Sequence, residues 1–408
     1  MEQTLKKYAK KLVTAKLGAS HGPCQPLIGG LDDRLVWNRA AEETKVLTDV
    51  FKGLDINSLV FLRPIEPYAS LIRHLAENAM TENGLIAPKD CETRTFLHDL
   101  PVIDDFTANS IIRVLKKRKS VIIAPGKKNQ GHFIGPAIVA HGSISPEQGF
   151  VTTSSVCFAS FIKFFTDYLE ALQTGCAKAA AHDLFDAVIP YLSPMRNKVP
   201  KFIPSPFQTE ETVYSAVIEA GLKTVEYELV DSYFGNVSYF WNGTLYISQT
   251  GSSLDELSGC IDPVPMDGSS SAGLTASSEL SAHMETILRT GCKAILHGHP
   301  KFSVILSMDC DPVEKAACHF SDRCHIKCPK KRRVAGIPIV PGEVGTGPNG
   351  LCNTLPSALA MTNKAIVYGH GLFTTGKDNF SDAFLTLLEV ENTCRNIYLK
   401  KIDDLRKI

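Results

Sequence analysis

The chain has no excess charge of either sign. Lys+Arg and Asp+Glu each number 43 among 408 residues. No bulk basic field therefore draws it toward nucleic acid or an anionic membrane surface. No apolar run approaches the ~18 residues of a bilayer span. The opening Met1-Glu-Gln-Thr-Leu-Lys-Lys-Tyr-Ala-Lys-Lys resembles an amphipathic helix start and lacks the apolar core of a secretory signal. Internal repeats and low-complexity tracts are also missing, which sets aside repeat arrays and disordered tails. With no export signal, the twelve cysteines read as reduced thiols in the cytoplasm. Hydrophobic content of 44% and charged content of 21% are ordinary for a globular protein. The length exceeds one typical domain, so two or three are expected.

A boundary is marked by Pro190, Pro194, Pro200, Pro204 and Pro206, with Lys and Arg between them, where neither helix nor sheet is favoured. It divides a domain over 1–205 from one over 206–408, which opens on the capped helix Thr209-Glu-Glu-Thr-Val-Tyr-Ser-Ala-Val-Ile-Glu-Ala-Gly. Upstream, helical patterns over 41–53, 68–80, 108–118 and 157–173 alternate with strand-like runs. The runs are Leu59-Val-Phe-Leu, Thr95-Phe-Leu, Ser120-Val-Ile-Ile-Ala and Ala137-Ile-Val-Ala. This alternation predicts a layered α/β domain. Pro125-Gly-Lys-Lys-Asn-Gln-Gly-His-Phe-Ile-Gly follows a strand, as a phosphate loop would, but matches neither the P-loop nor the dinucleotide fingerprint and reads as a solvated loop. Asp99, Asp104 and Asp105 form no recognisable motif, and the N-terminal half resembles no family.

The most informative stretch is Ala294-Ile-Leu-His-Gly-His-Pro, answered downstream by Val367-Tyr-Gly-His-Gly-Leu. Strand side chains alternate faces, so His297 and His299 present two ring nitrogens on one side, and Pro300 ends the ladder. A second strand, Ala365-Ile-Val-Tyr-Gly-His-Gly, delivers His370 at its end. Three protein ligands with an open position is the arrangement of a catalytic zinc, whereas structural sites are closed by four.

Thr275-Ala-Ser-Ser-Glu-Leu-Ser-Ala-His opens a helix that Gly291 ends. Ser277 or Ser278 can cap it, and Glu279 falls in its first turn. The hydroxyls and N–H groups of a helix start also suit an anion. Gly235-Asn-Val-Ser and Gln249-Thr-Gly-Ser bracket the hairpin Tyr239-Phe-Trp-Asn-Gly-Thr-Leu-Tyr-Ile, whose Asn242-Gly243 turn is a strong signal by itself. Taken singly, turn and cap chemistry accounts for each motif.

In this order and combination, over residues 207–402, they resemble the class II aldolase/adducin family. The resemblance implies an α/β domain with a central, largely antiparallel sheet flanked by helices, following an N-terminal α/β layered domain. It implies a zinc or other divalent ion held by His297, His299 and His370, with Glu279 as the acid/base. It implies phosphate contacts from Asn236, Thr250, Gly251, Ser277 and Ser278, and a homo-oligomer, a tetramer, acting on a small phosphorylated substrate. His283, four residues after Glu279 on the same helix face, reads as packing or support for the ligands. Three features depart from the family pattern. Gly369 stands where a second histidine is frequent, Gln249 replaces a proline, and the catalytic tyrosine of some members has no assignable counterpart, which leaves the proton donor open.

The implied activity is a zinc-dependent aldolase-type cleavage of a phosphorylated ketose through an enediolate. Such chemistry needs a Lewis acid and a group to take a hydroxyl proton. A dehydratase or 4-epimerase on the same fold, or a non-enzymatic adducin-like scaffold, are the alternatives. One further cluster stands apart: Cys310, Cys318, His319, Cys324, His325 and Cys328, followed by Lys330-Lys-Arg-Arg. Its spacings are not those of paired zinc knuckles, so reduced thiols are the default reading and a second zinc or an iron–sulfur cluster the alternative.

Overall fold

The computed structural model describes residues 1–124, 135–231 and 233–407, without the side chains of Ala272 and Asp322. The chain divides into two units, Met1–Tyr168 with Ala177–Ser193, and Leu169–Cys176 with Pro194–Ile408.

The first unit begins with α1 (Glu2–Thr14), β1 (Leu27–Leu31), β2 (Leu35–Trp37), α2 (Thr44–Gly53), β3 (Ser58–Leu62), α3 (Tyr68–Thr81) and β4 (Leu85–Ile86). It continues through α4 (Cys91–Leu97), β5 (Leu100–Ile103), α5 (Ala108–Leu115), β6 (Ser120–Ile123), β7 (Ala137–Gly142), α6 (Pro146–Gln173, through Tyr168) and α7 (Ala179–Val188). Seven strands form one sheet in the order β2-β1-β3-β7-β6-β5-β4. Every pair is antiparallel except β5 with β6. Leu47 and Phe51 of α2 and Ile111 and Leu115 of α5 pack on Leu59, Phe61, Val121 and Val139 of the sheet. Strands β3, β5 and β6 are buried along their whole length, so both faces of the sheet are covered, as in a layered α/β arrangement.

Thr95-Phe-Leu is not a strand but the last turn of α4. Asp90 caps that helix by accepting from the Thr93 N–H, and this local bond outweighs the β-preference of Thr and Phe. The lysine- and glycine-bearing segment from Pro125 lies outside the described residues except for Gly135. By length and composition α6 is apolar enough to cross a membrane, although Ser and Thr interrupt every long apolar run. Within its most apolar window 83% of residues are buried in the protein, as in a core helix.

The second unit continues with α8 (Glu210–Glu226), β8 (Asn236–Trp241), β9 (Thr244–Ser248), β10 (Ile261–Pro265), α9 (Leu280–Thr290), β11 (Ala294–Gly298) and α10 (Lys301–Met308). It closes with α11 (Pro312–Ala316), β12 (Arg332–Val334), β13 (Ile337–Val340), α12 (Leu351–Thr362), β14 (Lys364–Val367), β15 (Gly371–Gly376) and α13 (Phe380–Leu405). The eight-stranded sheet runs β10-β9-β8-β11-β15-β14-β13-β12 and is antiparallel except between β13 and β14. The β8–β9 hairpin turns on Asn242 and Gly243, both at positive φ (47° and 80°), as a tight two-residue turn requires. Ile295, Phe373, Ala365 and Val367 form a core with Ala282 and Ile287 of α9 and Leu355 and Leu359 of α12 on one face. His297 follows Ile295 by two residues and therefore shares that face. Helix α13 covers the opposite face, where Gly298 approaches Leu387.

Candidate metal centre

β11 lies near the middle of the eight-stranded sheet, with β8 on one side and β15 on the other. Its register sets His297 opposite Asn236 and opposite Phe373. The His297 ring stacks on Phe373 with centroids 3.8 Å apart. Its Nδ1 lies 3.2 Å from the Leu372 carbonyl oxygen, to which an Nδ1–H donates, leaving the Nε2 lone pair turned outward. His299 follows just past the strand, and His370 occupies the turn between β14 and β15. The Nε2 atoms of His299 and His370 stand 3.0 Å and 3.3 Å from that of His297. A tetrahedral zinc with Zn–N bonds near 2.05 Å requires N···N separations of about 3.3 Å, close to both distances from His297, and the ligand nitrogens of all three lie within 4.8 Å of one another. All three residues are buried. Burial pushes His297 and His299 well below the usual imidazole range, with neighbouring imidazoles adding to the effect, so both are neutral and ligand-competent near pH 7.

The approach of the three rings demands glycine at 371. A Cβ there would lie 2.7 Å from both Cε1 of His297 and Cδ2 of His299, and nearer still to the Gly298 carbonyl. Gly235 (φ +143°) is similarly constrained, since a Cβ would come within 2.6 Å of the His297 carbonyl oxygen.

Glu279 is the N-cap of α9 instead of lying in its first turn, and its side chain does not cap. The carboxylate is buried and faces the imidazoles, with Oε2 3.6 Å from Nε2 of His297 and Oε1 3.6 Å from Nε2 of His370. Asn236 Nδ2 donates to Oε2 at 2.6 Å, while Oε1 has no hydrogen-bond partner. A buried carboxylate with one oxygen held by an amide and the other unpartnered beside three ring nitrogens fits a site built around a cation. One turn along, His283 is buried with Nδ1 2.7 Å from Ser238 Oγ. Burial drives it down to about 4, against the opposing pull of Glu279, so it is a neutral neighbour of the centre.

The candidate phosphate residues divide into two groups. Asn236 and Ser277 are buried: the first is engaged with Glu279, and the second accepts from the Glu279 N–H at 3.3 Å. Thr250, Gly251 and Ser278 are exposed, and a bridge between Gln249 and Ala276 brings the 249–251 turn to the segment leading into the Glu279 helix. The Thr250 and Ser277 N–H groups are used internally, on the Thr275 and Ser248 carbonyls. Gln249, in place of proline, donates to Asp262 Oδ1 at 2.7 Å, and Thr275 donates to Oδ2 at 2.6 Å. Asp262 thus ties the 249–251 turn to the segment leading to Glu279. A second tie is Glu391 of α13, which accepts from the N–H groups of Phe302 and Ser303 and from Ser303 Oγ. It anchors α10, the helix that directly follows His299 and Pro300. Neither tie is legible in the sequence, because each joins residues far apart along the chain.

Residues 215–398 match the family described as Class II Aldolase and Adducin N-terminal domain. The C-terminal half of the chain carries a class II aldolase/adducin domain. It is similar to L-fuculose-1-phosphate aldolase from Thermus thermophilus, at 22% identity over 47% of this chain and 95% of that one, with a TM-score of 0.37. YgbL from Klebsiella pneumoniae gives 23% identity over 47% of this chain and 91% of its own, also with a TM-score of 0.37. A sugar-phosphate aldolase from Thermotoga maritima gives 17% over 47% and 95%, with a TM-score of 0.32. No curated protein matches the sequence.

Proposed function

We propose that the C-terminal domain is a divalent-metal-dependent lyase that cleaves or forms a carbon–carbon bond of a phosphorylated ketose. The observation carrying this reading is the convergence of three buried imidazoles, with the Nε2 atoms of His299 and His370 3.0 Å and 3.3 Å from that of His297, on the Glu279 carboxylate, itself 3.6 Å from two of them. His297, His299 and His370 would hold zinc or a similar ion. When bound, that ion supplies a Lewis acid for the oxygens of a ketose. Glu279 takes the hydroxyl proton whose loss starts cleavage, and returns a proton in the reverse direction. Asn236 fixes the orientation of that carboxylate, leaving Oε1 to act. The exposed Thr250, Gly251 and Ser278, with Ser277 behind them, form the polar rim on which a substrate phosphate would rest. The same reading carries a homotetramer, which the family resemblance implies, and residence in a reducing cytoplasm, which suits twelve free thiols.

The test is aldol cleavage of ketose 1-phosphates by purified, metal-analysed protein. Wild type is expected to cleave. Glu279→Gln is expected to keep its metal and lose turnover by ~100-fold or more. Full activity in that variant, or substrate dehydration or C4 inversion without carbon–carbon cleavage, would overturn the proposal.

A further inference from the structure

Asn236 and Ser238 stand two residues apart on β8, so both point to the face that carries His297 and Phe373. Glu279 and His283 stand one helical turn apart, with the His283 N–H donating to the Glu279 carbonyl at 3.1 Å. Two side-chain bonds join strand to helix. Asn236 Nδ2 donates to Glu279 Oε2 at 2.6 Å, and Ser238 Oγ lies 2.7 Å from His283 Nδ1. All four side chains are buried. Two residues of strand span about 6.6 Å and four of helix about 6 Å. The bonds are therefore rungs of one ladder, and α9 runs beside β8 in the same direction. Among the described residues, they are the two hydrogen bonds by which side chains from 279–290 reach the sheet. Thr286 and Thr290 bond back within their own helix, and Arg289 reaches Ser357 of α12. The core contacts of Ala282 and Ile287 are apolar and non-directional, so they set no particular axial position.

We propose, resting on the metal-dependent reading of the histidine centre, that Ser238 and His283 are a positioning pair. Their bond sets α9 in register on β8, and so holds the Glu279 carboxylate 3.6 Å from Nε2 of both His297 and His370. A slip of the helix by one residue is about 1.5 Å along its axis. That is enough to part Glu279 from Asn236 and to carry it off the imidazoles. The Asn236 rung does not prevent such a slip, because it grips only the tip of a long side chain with several rotamers. The Ser238 rung grips a short, planar ring close to the helix backbone. Packing alone does not call for histidine at this place. The ring meets Phe373 edge to face at 5.9 Å, a contact that phenylalanine or leucine would also make. Nε2 is buried with no hydrogen-bond partner, a desolvation cost that an apolar side chain would avoid. What histidine adds is the directed bond between Nδ1 and the Ser238 hydroxyl.

The experiment is a double-mutant cycle on the full-length chain, read as zinc affinity by competition with a chelator. Ser238→Ala, His283→Leu and His283→Asn are each made in wild type and in Glu279→Gln, with folding checked by urea unfolding. In wild type, Ser238→Ala and His283→Leu are expected to weaken zinc binding by roughly 10-fold, the scale of losing support around a metal site. In Glu279→Gln the same two changes should alter affinity by less than about 2-fold, because the group they position is already gone. His283→Asn, whose amide offers a δ atom to Ser238, should retain most of the wild-type affinity. Ser238→Ala removes one hydroxyl and carries the test even if His283→Leu misfolds. A role confined to packing gives equal losses in both backgrounds and no rescue by asparagine. That result, or unchanged affinity in folded Ser238→Ala, would overturn the proposal. A protein that follows the expected cycle yet cleaves no ketose phosphate would count against the lyase reading and not against this pair.

Discussion

At the scale of single residues, the candidate metal ligands are the most legible part of the molecule. Alternation along a strand puts His297 and His299 on one side with no knowledge of the fold, and the order of motifs pointed to His370. What the sequence conceals is why their neighbours must be what they are. Gly371 reads as an ordinary turn glycine, yet its constraint comes from another strand, whose two imidazoles occupy the space a Cβ would take. Gly371→Ala is therefore expected to displace those rings and weaken zinc binding by roughly 10- to 100-fold, the scale of disturbing the support around metal ligands. Competition with a chromogenic chelator measures this. Unchanged affinity in a natively folded variant would mean the strands spread at no cost to the centre. Asn236 was similarly veiled. The family resemblance assigns it to phosphate, while its amide is engaged with the Glu279 carboxylate at 2.6 Å.

At the scale of elements, patterning located most helices and strands of the first unit but misread Thr95-Phe-Leu. Local preference favoured a strand there, and a buried cap made a helix. That cap also creates a pH dependence. Asp90 is fully buried, and burial raises its carboxyl from 3.8 to about 6 despite its bonds to the Thr93 N–H and hydroxyl. Between about pH 4 and 6 the folded protein keeps a proton that the unfolded chain has released. The contribution to stability is therefore fully present below the unfolded value, falls as pH rises through this window, and is level above it. The full loss is roughly 3 kcal/mol. Asp90→Asn keeps an acceptor for the Thr93 N–H and carries no charge. It should shrink the stability difference between pH 4.5 and pH 7 by about 2 kcal/mol in urea unfolding. An identical pH dependence in the variant would place the titration elsewhere.

At the scale of the whole molecule, the two units each possess a sheet and a hydrophobic core of their own. One is centred on Leu59, Phe61 and Val139, the other on Ile295, Phe373 and Leu355. The sequence marked the second unit clearly because its chemistry is compact along the chain. It said little of the first because apolar alternation specifies layers without specifying purpose. The three imidazoles all belong to the second unit, so a metal ion that binds only the folded state stabilises that unit and has no direct hold on the first. At a free ion concentration a thousand-fold above Kd the gain is about 4 kcal/mol. For a unit of this size that raises its melting temperature by on the order of 10 °C. Calorimetry of the full chain is accordingly expected to resolve two transitions, of which zinc moves one upward and chelation returns it. His297→Ala should strip that transition of most of its response while leaving the other in place. A single transition that shifts as a whole with metal would mean that the two cores melt together.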